Sequence, residues 1–144
     1  MSQKMSEHDL DFWVGHWNYY SSDTLIGENK IQKILNNKIV EEKFMTYADK
    51  FSGGSWSAFD SISSQWKQTW VDNAGAYMLF TGAREKDTIS FIEDNSVTLH
   101  GQKHYRRMIF YSIKMNSFEW KWQSSEDKIE WKTNWHISYK RKSL

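Results

Sequence analysis

Three polar residues in this 144-residue chain stand on sequence faces otherwise occupied by large apolar side chains: Glu42, Gln68 and Arg107. In IVEEKF, Glu42 shares its parity with Val40 and Phe44, whereas Glu41 shares Lys43's. Adjacent strand residues point to opposite faces, so Glu41 and Glu42 cannot form a catalytic pair, and Glu42 is the inward one. A carboxyl in an apolar interior has a raised pKa and suits general acid–base work. In HYRRMIFYSIK, Arg107 alternates with Tyr105, Ile109, Tyr111 and Ile113, while Arg106 falls with His104 and Met108. An interior guanidinium needs a partner. Two partners fit: Glu42, as a structural ion pair, or a ligand carboxylate held by a two-pronged contact. Gln68 lies midway between Trp66 and Trp70 in WKQTWVD, and a buried amide must find hydrogen bonds. With Glu42 moving a proton and Arg107 and Gln68 stabilising negative charge, the set would suit a cofactor-free isomerisation, cyclisation or dehydration.

Other chemistries lack their residues. The chain has no cysteine, which excludes disulfides and thiolate metal sites. Of the five histidines, His100 and His104 are four apart, but Gly101-Gln102 between them reads as a turn, and no HExxH occurs. No metal site and no cofactor is expected. Gly53-Gly54-Ser55-Trp56-Ser57 misses the nucleophile elbow, because Ser57 stands where glycine is required. Gly53 and Gly54 read instead as a bulge or sharp bend in a strand. Neither glycine pattern for phosphate or dinucleotide binding is present. A net charge of +1 argues against a nucleic-acid partner. The N-terminus has no signal-peptide core, and no apolar run approaches the roughly 20 residues that span a bilayer. A cytoplasmic protein with no membrane partner, monomeric or homodimeric, is the expectation.

The elements that must position these residues read as strands. Aromatics make up 17% of the chain, and they outnumber Ile, Leu and Val together. Proline is absent, so Asn, Asp, Ser and Gly mark the turns, as at Ser21-Ser22-Asp23, Asn36-Asn37, Asp72-Asn73 and Asp94-Asn95. Short alternating segments lie between them. Phe118, Trp120 and Trp122 share a face, as do Ile129, Trp131, Thr133, Trp135, Ile137 and Tyr139, with charged and polar residues opposite. The pattern predicts an all-β single domain over 1–144, an antiparallel up-and-down barrel of about ten strands, since closure removes exposed edges. Ser6-Glu7-His8-Asp9 resembles a capping box and predicts one short N-terminal helix through Trp13.

The stretch DFWVGHWNYY, with a helix before a first strand carrying Gly15-His16-Trp17, resembles the lipocalin-like, or calycin, barrels. The resemblance implies that Trp17 closes one barrel end and that a late basic residue, Lys140 or Arg141, packs over it. The run FSGGSWSAFDSISSQWKQTWVDNAGAYMLFTGA is similar to a bacterial lipocalin-like family that brings no settled reaction with it. A weaker similarity, through His136 in HISYKR, is to the nitrobindin-type haem barrels, whose iron ligand lies near the C-terminus. Parity places His136 outside, opposite Trp135 and Ile137, which disfavours haem.

The expected function is binding of a small apolar or aromatic molecule inside the barrel, an acidic one where Arg107 serves the ligand. Trp17, Tyr19, Trp66, Gln68, Trp70, Arg107, Tyr111, Trp120, Trp122 and Trp135 are the expected ligand-binding residues, with Trp131 as further lining and Glu42 catalytic only if a reaction occurs.

Overall fold

The computed structural model describes residues 3–142. Alternation of apolar and polar residues, broken at Asn, Asp, Ser and Gly, produces eleven strands: β1 (Gly15–Ser21), β2 (Thr24–Ile34), β3 (Ile39–Thr46), β4 (Ser52–Asp60), β5 (Gln65–Asp72), β6 (Tyr77–Glu85), β7 (Thr88–Glu93), β8 (Val97–Leu99), β9 (Gln102–Tyr111), β10 (Ser117–Ser125) and β11 (Lys132–Arg141). Each pairs antiparallel with its neighbour, β9 joins both β7 and β10, and β11 returns to β1. Ten strands thus close an up-and-down barrel. The short β8 pairs with the start of β9 alone and forms a lip. Left-handed residues Ser22, Asn36, Asn37 and Gly75 sit at or beside the turn signals, and Lys50, Ser64 and Lys86 mark further turns. No helix among the described residues is long and apolar enough to cross a membrane.

Two expectations shift. The N-terminal helix is a single 3-10 turn, Asp11–Trp13. The amide of Ser6 donates to Asp9 Oδ2 at 2.8 Å, as in the back half of a capping box. However, Asp9, Asp11 and Trp13 donate to carbonyls three residues back, and Val14 is already extended. The last strand begins at Lys132 rather than near residue 129. Asp127 Oδ1 accepts from the amides of Ile129 and Glu130 at 2.8 and 3.0 Å and ties them into a turn. Ile129 is consequently exposed.

The 3-10 turn plugs one end of the barrel. Trp17 is fully buried there and donates through Nε1 to the Trp13 carbonyl at 2.8 Å. The guanidinium of Arg141, rather than Lys140, lies over the Trp17 ring at 4.2 Å. It also donates to the carbonyls of Val14 and Met115, each at 2.9 Å. Gly15 makes this possible: at φ +147 a side chain is strained, and a Cβ would fall on the Arg141 guanidinium. Trp66 seals the same end through its Nε1 bond to the Ser6 carbonyl at 2.9 Å. Below the barrel's midpoint the rings fill the interior: Phe118 stacks on Tyr139 at 4.4 Å and meets Trp17 edge-on at 4.8 Å.

Replacing Arg141 with leucine should cost about 2–4 kcal/mol, since charge-assisted bonds and a cation–π contact vanish together. Lys140→Leu should leave stability nearly unchanged. Urea denaturation of the two variants measures the difference.

Candidate functional site

Above the packed layer the barrel is open. A cavity of about 210 Å³ lies there, walled by Phe44, Trp70, Met78, Phe80, Met108, Trp120, Trp122 and Trp135, among others. Alternation supplies the walls: Trp120 and Trp122 come from β10, Trp135 from β11, Trp70 from β5, and Phe44 from β3. The rings of Trp120 and Trp122 are parallel to within 6° with centroids 6.5 Å apart, and Trp135 meets Trp120 edge-on at 5.8 Å. Gly53 stands in a regular strand, with no bulge in its register against β3 or β5. It supplies space instead, because a Cβ there would strike the Trp70 indole. Trp70 is fixed by its own Nε1 bond to Asp72 Oδ2 at 2.9 Å.

Glu42 lies at the cavity's base. Ser55 Oγ donates to its Oε1 at 2.8 Å, and Asn29 Nδ2 donates to its Oε2 at 2.7 Å. The same Asn29 nitrogen also donates to the Tyr139 hydroxyl at 3.2 Å. No arginine or lysine bonds to the carboxyl among the described residues. Burial pushes the Glu42 carboxyl up, and the bonds from Asn29 and Ser55 only partly oppose this. Burial, with the Glu42 charge nearby, also pushes the Tyr139 hydroxyl well up. The Asn29 carbonyl oxygen is buried without a donor among the described residues. A proton on Glu42 would supply one if the Asn29 amide turned over, so the cluster can accommodate either protonation state.

The arginines of β9 exchange roles relative to the expected parity. Arg106 enters the barrel, with Met108 and Phe110 buried on the same face. It makes a two-pronged pair with Glu93, Nε to Oε1 at 2.7 Å and Nη2 to Oε2 at 2.9 Å. Arg107 faces outward, where it lies 4.0 Å over the Trp131 ring and donates through Nε to Gln123 Oε1 at 2.8 Å. It therefore cannot pair with Glu42 or reach a guest in the cavity. Tyr111 is outside with it, beside His136, whose Nε2 contacts Glu119 at 2.9 Å. Trp131 covers Arg107 from the β10–β11 turn and lines nothing inside.

Trp70, Trp120, Trp122 and Trp135 thus meet around the cavity with Glu42. Trp17, Tyr19, Trp66 and Gln68 also face inward but do not line it. Tyr19 stacks on Phe44 behind the wall at 4.6 Å and bonds Thr46 Oγ1. Gln68 is buried with Nε2 on Ser57 Oγ at 2.9 Å, and its carbonyl oxygen has no donor among the described residues. The sequence reading missed Asn29, Ser55, Glu93 and Arg106. A partial signal for Glu93 was available, since it shares its parity with Ile89 and Phe91, although Ile92 on the other parity is apolar too.

The raised Glu42 carboxyl fixes the sign of a pH effect. Between the ordinary value of 4.5 and the raised folded value, the native chain keeps a proton that the unfolded chain has lost. Stability attributable to Glu42 therefore falls as pH rises through that window. Glu42→Gln has no such proton to lose, so its melting temperature relative to the parent should improve as pH rises from 4.5 and level off above the raised folded value. Paired thermal melts across pH measure this. Compared with models of protein families and with curated proteins, the chain matches none of them.

Proposed function

We propose that the barrel binds one small, neutral, planar molecule of one or two rings, oriented by a hydrogen bond to Glu42. The observation that carries this is the 210 Å³ aromatic-walled cavity with a cation-free carboxyl at its base. A dry cavity of roughly 150 Å³ accepts benzene, so this one suits a slightly larger guest. Pockets of this kind are mostly apolar with a few polar groups that set orientation. Among the described residues lining the cavity, the one cation, Arg106, is already paired with Glu93, which disfavours an acidic guest. The closed barrel and the Arg141–Trp17 contact support kinship with the lipocalin-like barrels.

Calorimetric titration with 2-naphthol and 2-naphthoate tests the reading. The two share their rings and differ in charge. Naphthol should bind with one-to-one stoichiometry, at least about tenfold more tightly than naphthoate, a difference of about 1.4 kcal/mol. Equal or stronger binding of naphthoate would overturn the neutral-guest reading.

A further inference from the structure

We propose that Glu42 and Tyr139 form a proton-transfer centre acting on a small neutral carbonyl compound with an enolisable C–H bond. The inference rests on the cavity-binding reading above. It starts from three features. First, the Glu42 carboxyl and the Tyr139 side chain both reach the cavity wall. Second, Asn29, fully buried, donates from one nitrogen to both residues and holds their oxygens side by side. Third, the Tyr139 hydroxyl is engaged only as an acceptor among the described residues, so its own hydrogen is free to donate.

These are the two roles that enolisation needs: a base for a carbon-bound proton and a donor where negative charge develops. A ketone whose oxygen accepts from Tyr139 would set its α-carbon beside Glu42. The Glu42 carboxylate takes the α-proton. The C–H electron pair becomes the carbon–carbon double bond of the enolate, and the carbonyl π pair moves to oxygen, onto the Tyr139 O–H. The protonated Glu42 then returns the proton. Delivery to the α-carbon regenerates the ketone. In a β,γ-unsaturated ketone, delivery to the γ-carbon moves the double bond into conjugation. Both courses balance with no oxidant, reductant or co-reactant. The rings of Trp70, Trp120, Trp122 and Trp135 provide apolar faces for a planar enolate, and the open end of the barrel lets the proton on Glu42 exchange with solvent before it is returned. Burial, which raises both the Glu42 and Tyr139 groups, keeps the tyrosine as a donor and makes the ionised glutamate a stronger base than in water.

The probe is 1-indanone in deuterated buffer, with loss of its α-proton signal followed by NMR and binding followed by calorimetry on the same samples. The parent protein should bind the ketone and speed exchange above the buffer rate. Glu42→Gln should lose about 10²–10⁴-fold of that acceleration while still binding. Tyr139→Phe should lose about 10–10²-fold, since an oxyanion donor is worth at least that much. Should Glu42→Gln fail to fold, Glu42→Asp, with its carboxylate drawn back by one methylene, should lose at least tenfold. Binding with exchange at the buffer rate would overturn proton transfer and leave the binding reading standing. Exchange unaffected by Glu42 and Tyr139 substitutions would overturn the assignment of the centre. Failure of the ketone to bind would overturn both proposals.

Discussion

Replacing Arg106 with methionine should cost the barrel about 3–5 kcal/mol, because the Glu93 carboxylate would be left buried without its partner. The pair is enclosed: the side chains of Arg106 and Glu93 are 20% and 8% exposed. Arg106 also lies 5.8 Å from the Trp122 ring, so its loss removes one flank of the cavity. The double variant Arg106→Met, Glu93→Gln should recover most of the loss, since a neutral amide is far cheaper to bury than an unpaired charge. Arg107→Met should cost only about 1 kcal/mol, the worth of an outer-face cation–π contact and one hydrogen bond. Denaturant unfolding of the four chains measures the set. Equal losses for the two arginines would contradict the orientation of β9.

Filling the cavity should abolish binding without harming the fold. Met78 lies on β6 beside Trp70 in the register, lines the cavity and is only partly buried. In Met78→Trp, the larger ring can turn into the cavity, while the partly open site limits overpacking strain. Affinity for 2-naphthol should fall about 100-fold or more, equivalent to about 2.7 kcal/mol. Gln68→Leu and Arg107→Met should leave affinity unchanged, because neither residue lines the cavity. Calorimetry on the three variants, with melting curves as the control for folding, gives the answer. Retained affinity in Met78→Trp would place the guest elsewhere.

How far the sequence could be read follows from what parity encodes. Along β10 the alternation of Phe118, Trp120 and Trp122 with Glu119, Lys121 and Gln123 leaves one choice, and the barrel adopts it. In HYRRMIFY both parities carry aromatics and an arginine, so alternation cannot decide. The decision comes from β7, where inward Glu93 accepts Arg106, while Ile92 opposite Arg107 places that residue outside. Parity also reports face but not height. Trp66 and Trp70 share a face of β5, yet Trp66 bonds the N-terminal segment at the plugged end and Trp70 walls the cavity at the other. The inward face of Glu42 was legible from its own strand. Its partners were not, because Asn29, Ser55 and Tyr139 arrive from β2, β4 and β11, and register across a barrel is set by the whole closed sheet. Asp127 carries a turn signal that outweighs the alternation through Ile129 and Trp131, and so shortens the last strand.

The most direct measurement of where a guest sits uses the protein's own indoles. Labelled with 5-fluorotryptophan, the nine tryptophans provide nine fluorine signals, assignable by single Trp→Phe variants. On saturation with 2-naphthol, Trp70, Trp120, Trp122 and Trp135 should shift. Trp13, Trp17 and Trp66 at the plugged end should hold still, as should Trp56 and Trp131 on the outer surface. Shifts confined to Trp56 or Trp131, or none at saturation, would contradict a binding site inside the barrel.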